Sequence, residues 1–237
     1  MERLDKIIVE QTKYSRKEVK ELVRQKRVIV NGEKISKPDI KIDREKDKIA
    51  VDNIEIKVKK YIYLMLNKPK GYISATEDKT MSTVLELIPQ EYLHRKLFPA
   101  GRLDKDTTGL MLITDDGEFA HNILSPKKHI KKIYEVTIDI DMKKEMIEGF
   151  KKGVLLNDGE CKSAILQITG KKTGKVTLVE GRYHQIKRMF GCYGAKVIEL
   201  KRIGMGNFIL PKDLEEGQCR EFTKEELEEL KEEMNKD

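Results

Sequence analysis

Two carboxylates, Asp104 and Asp106, stand two residues apart in the stretch Gly101-Arg102-Leu103-Asp104-Lys105-Asp106-Thr107-Thr108-Gly109. An apolar run, Leu110-Met111-Leu112-Ile113, follows, and Thr114-Asp115-Asp116-Gly117 closes it. The order reads as a Gly-initiated loop, a strand and a turn, and loops held by a strand are where reactive side chains commonly sit. A carboxylate in such a loop can ligate a cation, take up a phosphoryl group or attack as a nucleophile.

Three chemistries compete for Asp104. Asp104, Asp106, Thr108 and Gly109 match the opening of a calcium-binding EF-hand loop, with Asp115 at its last position. A strand, however, fills the second half of that loop, and no helix flanks it. Asp-x-Asp-x-Thr is similar to the signature of haloacid-dehalogenase-type phosphatases, whose first Asp is the nucleophile. That fold needs a hydrophobic strand directly before the Asp, and Phe98-Pro99-Ala100-Gly101-Arg102 reads as a turn instead.

The third reading draws on the rest of the chain. Gly-Arg-Leu-Asp-x-x-Thr-x-Gly-Leu resembles the signature of the RsuA-type pseudouridine synthases. Asn67-Lys68-Pro69-Lys70-Gly71-Tyr72 is similar to that family's first motif, and Lys132-Ile133-Tyr134-Glu135-Val136 to the segment carrying its Tyr. Glu180-Gly181-Arg182-Tyr183-His184-Gln185-Ile186-Lys187-Arg188-Met189-Phe190 resembles its third motif, with Glu199 to Gly204 following in place. The resemblance implies an isomerase that breaks the bond from ribose to a uracil nitrogen, turns the base and rejoins it through carbon. Nothing is oxidised, so neither a metal nor an organic cofactor is expected.

The same resemblance assigns roles. Asp104 becomes the nucleophile, and Lys187 the cation that keeps it ionised beneath a base, with Arg188 as fallback. Tyr134 packs on the target uracil and is a candidate general base. The target must leave its helix or loop, and Arg102 fills the space or holds the rearranged RNA. Arg182, His184, Gln185 and Arg188 join the expected RNA contacts. Residues 182–202 hold six basic side chains and one acidic, with Tyr183, His184 and Tyr193 among them. Basic residues interleaved with aromatics suit phosphates and stacked bases. The same stretch reads as an amphipathic helix with Ile186, Met189 and Phe190 inward.

Other candidates carry less. His94, His121 and His129 form no ligand spacing with His184, and Cys161, Cys192 and Cys219 form no Cys-x-x-Cys pair. No metal site is expected. Gly170-Lys171-Lys172-Thr173-Gly174-Lys175 is one residue short of a phosphate loop and reads as a basic hairpin turn.

The elements that must position these groups begin with a separate module. Ser15 and Glu18 form a capping box before a helix starting at Arg16, with Tyr14 and Val19 as a staple. Val19, Leu22 and Val23 make its buried stripe, while Lys17, Lys20, Arg24 and Arg27 recur along another face, and with Arg16 they supply the basic groups. Val28-Ile29-Val30 reads as a strand, Asn31-Gly32 as a type I′ turn, and Glu33 onward as the partner strand. This stretch resembles the S-four RNA-binding domain, which clamps RNA through shape and phosphates. The expected domains are residues 1–58, S-four-like, and residues 59–237, catalytic.

The fold class is α+β, with a catalytic domain on a mostly antiparallel sheet. Strand-like runs fall at 61–66, 136–138, 164–166 and 176–178, and helices near 82–88, 117–124 and 142–151. The tail from Thr223 reads as a capped, acidic, solubilising helix.

The composition sets the bounds. The chain has 237 residues, 38% hydrophobic and 38% charged, with net charge +7. Residues 1–60 hold 18 basic and 12 acidic side chains, and residues 212–237 hold 5 and 11, so the body before the tail carries +13. A field of that sign concentrates polyanions. No apolar run is long enough to span a membrane and no signal peptide is evident, so a cytoplasmic protein, expected to be monomeric, is indicated. The expected partner is ribosomal RNA of the small subunit, free or assembling. Large-subunit RNA as substrate, or a non-catalytic ribosome-assembly factor, are the alternatives.

Overall fold

The computed structural model describes residues 1–232 and Met234, so residues 233 and 235–237 of the expected catalytic domain lie outside the described residues. The chain divides into two compact units, Met1–Ile62 with Pro89–Leu97, and Tyr63–Ile88 with Phe98–Asp237. A single boundary near residue 59 does not anticipate that 89–97 groups with the first unit. The reason is Arg95, whose guanidinium donates to the carbonyls of Glu10, Lys59 and Lys60.

In the first unit, helices α1 (Leu4–Gln11) and α2 (Arg16–Arg24) pack beside a four-stranded antiparallel sheet. Its strands are β1 (Val28–Val30), β2 (Glu33–Lys34), β3 (Ile49–Val51) and β4 (Ile54–Ile56). The Ser15–Glu18 capping box forms at the start of α2 as the sequence predicts. Asn31 and Gly32 both take positive φ, as a tight hairpin requires. Leu4, Ile7, Ile8, Val19, Leu22, Val23, Val28 and Ile49 form one buried cluster.

The second unit is built on a mixed sheet. Its strands are β5 (Tyr63–Lys68), β6 (Thr108–Thr114), β7 (Lys132–Ile138), β8 (Ile165–Ile168), β9 (Thr173–Leu178), β10 (Val197–Met205) and β11 (Cys219–Glu221). They lie in the order β8-β9-β7-β10-β6-β5-β11, with short strands Phe98–Pro99 on β6 and Phe208–Ile209 on β10. Every ladder is antiparallel except β10 on β6, where Lys201 pairs Thr108 and Arg202 pairs Gly109. Strand β6 is buried at every position, as a continuous apolar run predicts for a strand covered on both faces.

One core cluster gathers Met65, Leu110 and Leu112 with Phe119 and Ile123 of helix α3 (Gly117–Leu124). Elsewhere, helices α4 (Lys144–Lys152) and α5 (Gln185–Gly191) meet through Phe150 and Phe190, ring centroids 4.9 Å apart, and α4 packs along β8.

Three expectations need correction. The strand predicted at 61–66 runs over Tyr63–Lys68, because Asn67 and Lys68 are buried with their side-chain donors engaged, Asn67 Nδ2 on the Leu214 carbonyl and Lys68 Nζ on that of Thr107. The helix near 82–88 is a 3-10 turn, Val84–Leu87, since Ile88 is extended before Pro89. The terminal helix α6 (Lys224–Glu232) does more than solubilise. Leu230 is fully buried in the core cluster with Phe222, and Leu227 packs against it.

Candidate active site

The loop from Gly101 to Thr107 is held from beneath. Lys68, fully buried at the end of β5, donates through Nζ to the carbonyls of Thr107 at 2.8 Å, Pro69 at 3.1 Å, Asp104 at 3.1 Å and Lys105 at 3.3 Å. Burial pulls its pKa down to about 8, against the opposing pull of Asp106 and Asp104. Ser74 pins Leu103 on the other side. Its hydroxyl donates to the Leu103 carbonyl at 2.8 Å and accepts from the Leu103 N–H at 2.9 Å. Asp104 therefore projects from a backbone fixed at both neighbours.

Gly109 closes the loop at φ +97°, and a Cβ there would lie 2.2 Å from the Arg202 carbonyl oxygen. Only glycine permits this approach of β6 to β10. Arg202 itself is buried and donates through Nε to the Leu110 carbonyl at 2.7 Å. Lys132 is also buried, and burial followed by the charge of Arg202 lowers its pKa to about 8.

Asp104 faces the start of α5. Lys187 Nζ lies 3.0 Å from Asp104 Oδ2, and His184 Nε2 lies 3.4 Å from Asp104 Oδ1. The same ammonium donates to Asp106 Oδ1 at 2.6 Å. Burial pulls the pKa of Lys187 down, but its bonds to Asp106 and Asp104 outweigh that and leave it above the ordinary lysine value. The hydrogen bond from Lys187 in turn lowers Asp106. His184 takes a left-handed conformation, φ 47°, as the residue capping α5.

These groups line one cleft with Tyr134, Leu178 and Leu200. Tyr134 is 8% exposed, on β7 between Val176 of β9 and Arg202 of β10. Its ring gives the cleft an apolar wall opposite the charged residues. Arg102 is exposed, lines the same cleft and, among the described residues, has no ion pair; Asp106 is taken by Lys187 instead.

Other expected contacts are placed differently. Arg182 and Arg188 both pair with Asp158, and their hydrogen bonds, that from Arg188 foremost, hold this carboxyl well below the usual carboxylate range. Arg188 is thus not the partner of Asp104. Gln185 is buried, accepts from the Arg182 N–H at 3.0 Å and donates to Glu180, so it braces the loop, and with Arg182 it lines the cleft. In the first unit, Arg16 and Lys20 line a shallow basic cleft with Arg3 and Lys6, and Lys17 is exposed. Arg24 is paired with Glu21 along α2.

The residues the sequence did not single out are Lys68, Ser74, Asp158 and, as the second acceptor of Lys187, Asp106. A lysine at the end of a buried strand and directly before a proline was the one available signal. The others declare themselves only through contacts distant in sequence.

Comparison with known proteins agrees with this architecture. The RNA pseudouridylate synthase family matches residues 62–191, and the S-four domain matches residues 2–59. The chain belongs to the RNA pseudouridine synthases, which are isomerases, and carries an N-terminal S-four domain. It is 40% identical to an RNA pseudouridine synthase of Bacillus subtilis over 95% of this chain and 96% of that one. It is likewise 40% identical to ribosomal small subunit pseudouridine synthase A of Escherichia coli, over 95% of this chain and 98% of that one. A crystal structure of a pseudouridylate synthase superposes with TM-score 0.69 and 38% identity, covering 97% of this chain and all of that one. No described helix is long and apolar enough to cross a membrane.

Proposed function

We propose that the protein isomerises a specific uridine of small-subunit ribosomal RNA to pseudouridine, with Asp104 as nucleophile. The observation that carries this reading is Asp104 itself. It is a partly buried carboxylate on a braced loop, 3.0 Å from an ammonium and facing a cleft walled by a tyrosine ring. The relatives named for the small subunit support the choice of RNA.

The chemistry asks for one bond to break, ribose C1′ to uracil N1, and one to form, C1′ to C5. The base turns between the two steps, C5 loses its proton and N1 gains one. The reaction is redox-neutral, so the side chains suffice and no cofactor is called for. The Lys187 ammonium lies 3.0 Å from Asp104, whose carboxylate is the attacking group. Tyr134 offers a flat face for the detached uracil and a phenol within the same cleft for the C5 proton. Arg102, exposed and unpaired, is free to enter the space the uridine leaves.

The test is tritium release from small-subunit ribosomal RNA labelled at uracil C5, run in EDTA beside Asp104→Asn. Each turnover must free the C5 hydrogen, so release by the wild type alone is expected. Release from Asp104→Asn at the wild-type rate would remove the nucleophile assignment. Silence of the wild type on small-subunit RNA, with release from large-subunit RNA, would move the substrate.

A further inference from the structure

Tyr183 is 77% exposed, yet its ring is held flat. It stacks on the His184 imidazole with centroids 3.8 Å apart and planes 20° from parallel. His184 is held in turn by the left-handed turn that opens α5 and, at its ring edge, by the approach of Nε2 to Asp104. The Tyr183 hydroxyl has no hydrogen-bond partner among the described residues. A tyrosine that serves the fold buries its faces or bonds its hydroxyl. This one does neither, and turns a free π-face to solvent at the mouth of the cleft.

We propose that the outer face of Tyr183 is a nucleobase-binding subsite, which takes a base flanking the target uridine. The proposal rests on the isomerase reading above and extends it to a second nucleotide. Asp104 meets the edge of the His184 ring, and Tyr183 stacks on that ring's face. A base at van der Waals contact, about 3.5–4 Å beyond Tyr183, lies two stacking steps from the imidazole that touches the carboxylate. It is therefore a neighbour of the uridine that meets Tyr134, not that uridine itself. The unpaired Arg102 supplies positive charge to the intervening phosphate. Stacking of this kind tolerates any base, so the subsite strengthens binding and register without reading sequence.

The experiment compares full-length wild type with Tyr183→Phe, Tyr183→Leu and Tyr183→Ala. One readout is KM and kcat for tritium release from C5-labelled small-subunit RNA. The other is quenching of a single 2-aminopurine within a short single-stranded oligouridylate. Tyr183→Leu and Tyr183→Ala are expected to raise KM by about 5- to 150-fold, the span of one base–aromatic stack, with kcat changed far less. They should also lose the quenching, and Tyr183→Phe should keep both properties. Unchanged KM and quenching in Tyr183→Leu would overturn the proposal, as would a Phe variant as impaired as the Ala variant. If the wild type releases no tritium from any ribosomal RNA, the isomerase reading fails while quenching still decides the subsite. Quenching lost in Tyr183→Leu supports it, and its absence in the wild type overturns it.

Discussion

The Lys187 ammonium sits 2.6 Å from Asp106 and 3.0 Å from Asp104, so one cation serves two carboxylates. On the proposed mechanism Asp104 loses its charge when it bonds covalently to substrate, and Asp106 then remains as the counter-ion of Lys187. Lys187→Met is expected to lower kcat by about 100-fold or more. Asp106→Asn removes one of the two groups that raise the Lys187 pKa, so the alkaline fall of the pH–rate profile should move to lower pH. Asp106→Glu should restore it. An Asn variant with the wild-type profile would show that Asp106 does not govern Lys187.

Lys68→Met strips the donor from three loop carbonyls and from that of Pro69, and should lower both activity and the unfolding free energy, the latter by about 1–3 kcal/mol. The pH dependence has a definite sign. Lys68 stands at about 8 in the folded chain, below its ordinary 10.5. Between those values the unfolded chain binds more proton, so the contribution of Lys68 to stability rises with pH from about 8 to 10.5, and below pH 8 its burial penalty is present in full. Urea midpoints should therefore show the wild type gaining on Lys68→Met across that window. A constant difference would mean that Lys68 is not shifted.

Gly109→Ala places a methyl group where the Arg202 carbonyl lies, at a φ that disfavours L residues. A loss of about 3 kcal/mol or more is expected, from strain together with a broken ladder. Thermal unfolding measures it, and a melting temperature within a degree of wild type would contradict the close approach.

Leu230→Ala distinguishes a docked terminal helix from a solvated one. Leu230 is fully buried, so about 2–5 kcal/mol should be lost in chemical denaturation. A solubilising helix would lose almost nothing.

In the S-four domain, Arg16→Gln and Lys20→Gln should each weaken RNA binding and reduce the slope of log K against log salt by about 1. Arg24→Gln should do less, because Glu21 already engages that side chain. Equal effects from all three would argue that the pairing opens on binding.

Much of this was legible in the sequence because local rules dominate there. The capping box at Ser15, the Asn31-Gly32 turn and the inward Ile186, Met189 and Phe190 follow from spacing alone. Asp104 and Lys187 were legible through family motifs, and the structure brings them to 3.0 Å. What stayed hidden is long-range. Asp158 lies 24 residues from Arg182 and 30 from Arg188 along the chain, and the ion pairs exist only because a short hairpin returns to α5. Gln185 is buried despite its polarity, and the two partners within the loop that hold it there are not visible from spacing. The length of β5 is misjudged for the same reason, since Asn67 and Lys68 are polar residues buried in the core with their side-chain donors engaged over long range.

The single parallel ladder, β10 on β6, is a seam between two antiparallel halves of the sheet. Asp104 comes from the half that holds β6, whereas Tyr134 and Lys187 come from the half that holds β7 and α5. Neither half holds the proposed nucleophile, its cation and the wall for the base together. On that mechanism a nascent or nicked chain with one half assembled lacks a complete site, and competence arrives only when the seam closes.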